Sequence, residues 1–399
     1  MHRQRLSQMY FEKAATTFHQ SRKTTLQAMT TSLLSNAELT LTSLGRHMAG
    51  PAYVKNKIKR ADRFLGNAYV YHELPLIYGE MLRPLLSSIK TLVIAVDWSG
   101  CGTSDYHVLR ASLVYQGRSI PLYNKVVPEA LQEDPAVHDA FLDDLKAHVL
   151  PAGAKVVVMT DGGFKTPWFD KVQSLGWEFV GRMRGRIHYR MVGEDWQDIK
   201  ALQARAGKMP RYLGEGLLSK TSETQCAVHF FAVKQRPQGR HKSKPSHPEK
   251  QRRYRELHTE PWVIATSLDG GMGVARTIIN LYKKRMQIEQ NFRDDKNERW
   301  GFAWRYSRTR QVARISVLCL VATLATIILW LIGFTMEQQQ WHRRFQANSV
   351  KHMRVLSYLF LAKQLLFHNP EWLRQYSLCH SMRVFVQCHQ QGSELSCLR

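Results

Sequence analysis

Three acidic residues, far apart along the chain, have the types and neighbours that phosphoryl-transfer chemistry needs. Asp97 and Asp161 each follow an apolar run, and Glu289 lies in a stretch rich in cations. Two Asp and one Glu supply only oxygen ligands, which suit Mg²⁺, or Mn²⁺ in its place, rather than zinc. Two such ions about 3.5–4 Å apart clamp the attacking and leaving oxygens of an in-line displacement, so no protein nucleophile is required. Because clustered carboxylates repel one another, we predict that the metal-free site is loose.

The stretch 280–296 places other functional groups beside the glutamate. It contains neither proline nor glycine and is predicted to form one helix. Tyr282, Arg285, Glu289 and Lys296 are spaced by three, four and seven residues, which predicts that they share one broad stripe of that helix. One interpretation is a carboxylate that holds a metal while its cationic neighbours hold phosphates. The other is a solvated helix with ion pairs between successive turns.

Buried strands are predicted to position the two aspartates. The runs before Asp97 and Asp161 are short and mostly β-branched or aliphatic, as in strands covered on both faces. Three strands, a helix, a strand, a helix and a strand are predicted in this order: 91–98, 107–115, 119–127, 134–149, 154–161, from 166, and 178–183. This order predicts an α/β fold of the ribonuclease-H-like class, a mixed sheet flanked by helices. Its first and fourth strands are parallel neighbours, which would bring both aspartates to one sheet edge. Alternatively, each aspartate is a turn or cap residue.

The charge of the chain indicates a polyanionic partner. The 399 residues carry a formal net charge of +25, which favours nucleic acid over an anionic membrane surface. Two predicted helices joined by Gly50–Pro51 suit a helix-turn-helix-like reader of DNA. The second helix carries five candidate DNA-binding residues: Lys55, Lys57, Lys59, Arg60 and Arg63. A solvated basic helix without a partner explains the same pattern equally well.

Composition divides the chain into three predicted regions. Residues 1–88 are predicted to form a helical DNA-binding domain, and residues 89–345 the ribonuclease-H-like catalytic domain. The catalytic domain is interrupted at 187–260 by an inserted β-rich subdomain with a basic loop at 234–255. That loop either orders on DNA through phosphate contacts or stays solvated. Residues 346–399 are predicted to be a helical C-terminal region.

One apolar segment has the length of a membrane span. Ile315–Phe334 contains few polar residues, and at about 1.5 Å per residue it is long enough to cross a hydrocarbon core of about 30 Å. We interpret it as a helix buried in a large domain and predict no membrane partner. The six cysteines include no C-x-x-C pair, and no apolar secretory segment follows the N-terminus, so we expect a cytoplasmic protein.

Three motifs resemble those of a known family. They are Val96–Ser99, Thr160–Phe164, and the tyrosine, arginine, glutamate and lysine at 282, 285, 289 and 296. In these motifs the chain is similar to the bacterial DDE transposases of the IS-four insertion-sequence family, over about residues 24–368. The last thirty residues match no motif of that family. The resemblance implies cut-and-paste transposition at the bacterial nucleoid: nicking of one strand, formation and reopening of a DNA hairpin on the transposon end, and joining of the 3′-hydroxyl to target DNA.

The resemblance also implies roles for particular residues. The implied metal ligands, for two Mg²⁺ ions, are Asp97, Asp161 and Glu289. The implied contacts with phosphates near the cleaved end are Tyr282, Arg285 and Lys296. Trp262 lies in a context similar to that of a tryptophan that stacks on a flipped base, an interaction worth roughly 1–3 kcal/mol per base. The alternative for Trp262 is a buried core residue.

The implied partners are double-stranded DNA, both as terminal inverted repeats and as target, and a second copy of the chain in a dimeric synaptic complex. Two other functions fit the same motifs. One is a ribonuclease-H-like DNA nuclease that cleaves without joining. The other is a non-catalytic DNA-binding protein derived from a transposase, against which the intact set of three carboxylates argues.

Overall fold

The chain folds into two compact units. The computed structural model describes these residues: 2–14, 17–102, 105–115, 117–235 and 260–391. The first unit comprises the described residues up to Lys155 together with those from Met286 onward. The second comprises the described residues from Val156 to Arg285. Helices and strands are mixed in both units, which is consistent with the predicted α/β class.

The first unit begins with helices and continues into three strands. The helices are α1 (His2–Ala14), α2 (Gln20–Leu34), α3 (Leu41–His47), α4 (Val54–Leu65), α5 (Ala68–His72) and α6 (Leu74–Leu86). The strands are β1 (Thr91–Gly100), β2 (Tyr106–Leu113) and β3 (Ile120–Pro128), followed by α7 (Pro135–Asp144). The strands pair antiparallel in the order β3-β2-β1, so the three predicted strands are confirmed. Leu92–Val96 of β1 are all buried, because the run is apolar on both faces of the sheet.

The second unit contains the remaining strands. Its elements are β4 (Lys155–Thr160), α8 (Thr166–Ser174), β5 (Glu178–Met183), β6 (His188–Met191), β7 (Gln197–Asp198), α9 (Lys200–Ala204), β8 (Arg211–Leu218), β9 (Cys226–Val233), β10 (Trp262–Thr266) and α10 (Ala275–Lys283). The strand order is β4-β5-β10-β9-β8-β6-β7, with β4 and β5 parallel and the other pairs antiparallel. The predicted insertion supplies β6 to β9 and extends the sheet through β9 and β10. Residues 236–259, most of the predicted basic loop, lie outside the described residues.

The last helices belong to the first unit. They are α11 (Met286–Lys296), α12 (Val312–Gln338), α13 (Tyr358–His368) and α14 (Leu378–Gln391). By length and composition alone α12 is able to cross a membrane, and its apolar window is completely buried inside the structure. It packs against α2, β3, α13 and α14. The helix is therefore the core of the first unit, as the interpretation of Ile315–Phe334 predicted.

The two helices of the predicted DNA reader pack against each other. A Cβ atom added at Gly45 of α3 would lie 2.7 Å from the Cα of Ile58 in α4, so the close approach of these helices needs glycine there. Gly66 ends α4 as its C-cap residue. All six N-terminal helices fall in the same compact unit as β1–β3 and the C-terminal helices. The three-region division of the chain stays a prediction.

Candidate active site

Asp97 lies near the end of β1, in the first unit. It is half-buried and directly follows the buried part of the strand, which continues for three more residues to Gly100. The backbone N–H of Trp98 donates to Asp97 Oδ1 at 2.9 Å. The strand register places Asp97 opposite Arg110 of β2. The carboxylate is thus held at the point where the apolar core of the strand gives way to partly exposed residues.

Trp98 is anchored by a histidine from α7. Its indole Nε1–H donates to His138 Nε2 at 3.2 Å, and the two rings are tilted at 5.8 Å between centroids. Burial lowers the pKa of His138 to about 4, although nearby Asp134 acts in the opposite direction. The imidazole is therefore neutral at pH 7, and its Nε2 is able to accept a hydrogen bond from the indole N–H. This contact ties α7 to the strand that carries Asp97.

Glu289 is carried by a helix that packs on the same strands. α11 packs against β1 and β3, and Glu289 is half-buried on it. At the end of α11, Lys296 Nζ donates to Ser99 Oγ of β1 at 2.7 Å. Burial lowers the pKa of Lys296, and the charge of Arg110 acts in the same direction. Within the first unit, the structure therefore joins the helix of Glu289 and the strand of Asp97 two residues beyond the aspartate.

A basic cavity opens beside Lys296. It has a volume of about 410 Å³ and is lined by Arg293, Lys296, Asn297, Glu298, Arg299 and Arg305. The single acidic residue among them, Glu298, accepts a hydrogen bond from the Tyr306 hydroxyl at 3.0 Å. Four cations against one carboxylate leave the cavity strongly positive, which suits a phosphate group. The three arginines of this cavity were not predicted. Their recurrence at 293, 299 and 305, on both sides of Lys296, could have indicated a basic site.

Asp161 follows β4 in the second unit. It is half-buried, and its Oδ1 accepts a hydrogen bond from the backbone N–H of Gly163 at 2.9 Å. The aspartate thus caps the turn, as the alternative interpretation of Asp-Gly holds. This hydrogen bond occupies one position on one carboxylate oxygen, so it is compatible with the predicted role as a ligand.

An aromatic and cationic cluster surrounds Tyr282 in the second unit. The rings of Trp262 and Tyr282 meet edge to face, with centroids 5.1 Å apart, and the Arg182 guanidinium lies 5.9 Å from the Trp262 centroid. Arg182 pairs with Glu260 at 3.1 Å, and Arg184 pairs with the same carboxylate at 2.6 Å. Trp262 is half-buried, so it is neither a full core residue nor a fully exposed platform.

Burial and the neighbouring charges act in opposite directions on the pKa of Tyr282. Burial raises the pKa of the phenol, the cations Arg285 and Arg182 lower it, and Asp161 raises it. Burial likewise lowers the pKa of Arg182, against the effects of Tyr282 and Glu260. Tyr282 therefore stays protonated at neutral pH and keeps its hydroxyl proton for donation. Arg182 is a further member of this cluster that the sequence motifs did not identify.

The prediction of one helix over 280–296 is wrong. α10 ends at Lys283, Lys284 and Arg285 form a turn, and α11 begins at Met286. The backbone N–H groups of Lys284 and Arg285 donate to carbonyls three residues earlier, both at 3.0 Å, as in a tightened helix end. The physical reason is tertiary packing: α10 buries its apolar face in the second unit and α11 buries Ile288 and Phe292 in the first.

The turn between α10 and α11 divides the four residues of the predicted stripe between the two units. Tyr282 and Arg285 belong to the second unit, whereas Glu289 and Lys296 belong to the first. Within the ranges that the structure describes, no group of three or more His, Cys, Asp or Glu side chains is arranged to hold a metal ion. Convergence of the three carboxylates, and of the stripe with them, stays a prediction.

The candidate DNA-binding residues lie on α4 of the first unit. Four of them are exposed, namely Lys55, Lys59, Arg60 and Arg63. The fifth, Lys57, is half-buried. Arg60 Nε also donates to Thr25 Oγ1 of α2 at 3.0 Å, so this arginine has a structural contact. Tyr53, just before the helix, is exposed beside these cations. The face is basic and accessible, as a DNA-binding helix requires, and its role stays a prediction.

Comparison with known proteins gives the family. A search of curated proteins found no match. The family model described as Transposase DDE domain matches residues 90–325, a range that includes Asp97, Asp161 and Glu289 and covers more than half of the chain. The chain therefore belongs to the family of transposases with a DDE domain.

Proposed function

We propose that this protein is a bacterial DNA transposase that cuts a mobile element out of DNA and joins it to a new site. Transposase function follows from the family; the cut-and-paste route is our proposal. The observation that carries it is the packing of α11 on β1, with the Lys296–Ser99 hydrogen bond at 2.7 Å. Two of the three carboxylates thereby come from elements in direct contact within one unit.

Transposases of this family generally use divalent metal ions. The donor set fits such ions, because Asp97, Asp161 and Glu289 are half-buried and offer only oxygen atoms. We propose that these residues hold two Mg²⁺ ions, or Mn²⁺ in their place. When bound, the ions would supply charge that stabilises the developing phosphoryl transition state. The protein's own part is to hold the carboxylates in place.

Cations of both units are proposed to hold the DNA backbone. In the first unit, Lys296 and the arginines of the basic cavity offer several donors to one phosphate, and guanidinium groups suit bidentate contact. In the second unit, Arg285 and the Tyr282 hydroxyl offer further donors. The net charge of +25 supports a partner that brings many phosphates. The basic face of α4 is proposed to bind the terminal inverted repeats.

The finer identity is also a proposal. We propose that, within the IS-four family, the chain resembles in its motifs the transposase of the tetracycline-resistance composite transposon. We propose the hairpin route for strand cleavage, a dimer that pairs two transposon ends, and a place in the bacterial cytoplasm at the nucleoid. The gene should therefore be flanked by short terminal inverted repeats and by a direct duplication of the target.

A strand-transfer assay tests the function. Purified protein, Mg²⁺, a linear DNA ending in the repeats that flank the gene, and a supercoiled plasmid are incubated together. We expect cleavage at the repeat and covalent joining of the 3′-hydroxyl end to the plasmid, both absent in EDTA. Cleavage without joined product would indicate a nuclease, and binding without cleavage would indicate a non-catalytic DNA-binding protein.

Trp262→Ala is expected to spare the first nick and to slow hairpin formation by about 10–100-fold, because one stacked base is worth roughly 1–3 kcal/mol. Both steps are followed on denaturing gels with end-labelled DNA. Trp196→Ala is the matched control, since Trp196 is also half-buried in the second unit and also has an arginine, Arg190, 5.1 Å from its ring centroid. Equal loss of both steps in Trp262→Ala would favour a core role for this tryptophan.

A further inference from the structure

Arg110 of β2 is a charged residue almost completely inside the first unit, with 1% of its surface exposed. Its guanidinium uses all three nitrogens. Nε donates to Asn124 Oδ1 at 2.7 Å, Nη1 donates to Asn291 Oδ1 at 2.6 Å, and Nη2 pairs with Asp295 Oδ2 at 2.6 Å. The guanidinium carbon also lies 4.5 Å from the ring centroid of Phe292. No part of this set belongs to the family motifs quoted above.

The partners of Arg110 show which elements it connects. Asn124 lies on β3, directly opposite Arg110, and Asp97 lies directly opposite it on β1. Residues opposite each other in an antiparallel pair point to the same face of the sheet, so these three side chains form a row across three strands. Asn291 and Asp295 are one turn apart on α11. One guanidinium therefore links the row that begins with Asp97 to the helix that carries Glu289.

The network continues away from Arg110. Asn124 Nδ2 donates to the Tyr78 hydroxyl at 3.1 Å and to Thr323 Oγ1 at 3.0 Å, which lie on α6 and α12. The asparagine is therefore fixed by two helices and presents its oxygen to Arg110 in one orientation. A guanidinium has a rigid planar fork of donors, so it transmits that orientation to its other partners better than an ammonium would.

Stability alone does not explain a buried ion pair of this kind. Burial of both charges carries a desolvation cost, and apolar residues of similar volume often replace such pairs without loss of stability. Asp295 is 2% exposed and Asn291 is 2% exposed, so their bonds to Arg110 are almost fully shielded from water. The planar guanidinium of Arg110, bonded to three partners away from water, gives α11 a defined position.

The position of α11 determines where Glu289 lies. At about 100° per residue, Asn291 and Asp295 are about 40° apart around the helix, and Glu289 is about 60° from Phe292. Contacts along that stripe fix the rotation of the helix about its axis. A rotation of about 10° would move a side-chain tip about 6 Å from the axis by about 1 Å. A misplacement of about 1 Å can cost about 10²-fold in rate.

We propose that Arg110 is the positioning residue for Glu289: through Asn291 and Asp295 it sets the rotation of α11 on the sheet that carries Asp97. It acts through the helix and touches neither DNA nor metal. This role rests on the proposed function, since it concerns the carboxylate of that same site. The hydrogen bonds and the ion pair of Arg110 are features of the fold, and they do not depend on the proposed function.

The decisive variant is Arg110→Met combined with Asp295→Leu, which removes both charges and keeps similar volumes. We expect it to fold, to bind transposon-end DNA with a Kd within about threefold of wild type, and to cleave about 10²-fold more slowly in single turnover. The Mg²⁺ concentration for half-maximal cleavage should also rise. A merely structural role would not separate the cleavage rate from the Kd in this way.

Two further variants keep the test open to failure. Asn291→Ala leaves the ion pair intact and removes one bond to α11, so it should slow cleavage by about tenfold even if the double variant does not fold. Lys125→Met breaks the partly exposed pair with Asp144, 2.8 Å long, in the same unit and should leave the cleavage rate unchanged. Cleavage at the wild-type rate by the folded double variant and by Asn291→Ala would overturn the proposal.

Amide exchange separates this proposal from the proposed function. If wild-type protein cleaves no DNA under any divalent metal, the proposed function falls. The positioning role is then decided by hydrogen exchange over residues 286–296 in the same variants. We expect faster exchange in α11 with unchanged protection in α12. Wild-type protection of α11 in the double variant would overturn the positioning role.

Discussion

Asp97→Asn is expected to lower the rate of strand cleavage by about 10³-fold or more, because a lost ligand removes several kcal/mol of charge stabilisation at about 1.4 kcal/mol per factor of ten. Asp161→Asn and Glu289→Gln should have effects of similar size. Each change keeps the shape of the side chain and removes its charge. Single-turnover cleavage of end-labelled transposon DNA with Mg²⁺ measures the loss.

The control for these variants is Asp139→Asn, which neutralises an exposed aspartate on α7 of the first unit. It should cleave at the wild-type rate, and all four variants should bind DNA with similar Kd without metal. Calorimetric titration with Mg²⁺ gives a second measure, since Asp97→Ala should bind the ion more weakly than wild type. Identical titrations of the two proteins would show that Asp97 is not a ligand.

Gly333→Ala is expected to destabilise the first unit, because the added methyl group would overlap the helix that α12 crosses. A Cβ atom there would meet the backbone of α13, with the Cα of Tyr358 at 2.6 Å and its carbonyl oxygen closer still. Overpacking of this kind costs up to about 3 kcal/mol, and alanine returns about 1 kcal/mol through its helix propensity. We expect a net fall of about 2 kcal/mol in the free energy of unfolding, measured by urea denaturation.

Gly273→Ala provides the comparison, because a Cβ atom at that position would meet nothing within 4 Å. Its free energy of unfolding should lie within about 0.5 kcal/mol of the wild-type value. If Gly333→Ala were as stable as Gly273→Ala, the close crossing of α12 and α13 would be wrong.

Strands were the most predictable part of the fold. The apolar runs before Asp97 and Asp161 are too short for buried helices and too continuous for a half-exposed strand, so their length and β-branched content identified β1 and β4. β5 was predicted for the same reason. The last two residues of β1, Ser99 and Gly100, were missed because they are not apolar, although they pair with β2.

The break between α10 and α11 had no signal in the sequence. Lys284 and Arg285 are good helix formers, and the stretch lacks proline and glycine, so local propensity favours one helix. α10 ends where it does because it packs in the second unit, whereas the next helix, α11, packs in the first. Only the tertiary structure contains this information. The shared stripe of Tyr282 and Glu289 was predicted for one continuous helix, which the turn at Lys284 and Arg285 interrupts.

The supporting residues of the site were invisible for a related reason. Arg110 lies in a strand between apolar neighbours and looks like one more basic residue in a chain of charge +25. Its importance comes from Asp295, which is 185 residues later and reaches it only after folding. The three carboxylates, in contrast, could be predicted as candidate ligands because each stands out from its own neighbours. A local pattern suggests candidate reactive groups, and only the fold shows which residues pack against the elements that carry them.

The burial of α12 has a consequence for synthesis of the protein. Its partners α2 and β3 precede it, but α13 and α14 follow it, and the last of them ends at Gln391. About 50 more residues must therefore leave the ribosome before the apolar surface is covered, which takes several seconds at about 5–20 residues per second. During that interval a nascent chain exposes one of its most hydrophobic segments. Early release or a premature stop after Gln338 would leave a fragment in which α12 is partly uncovered and prone to aggregate.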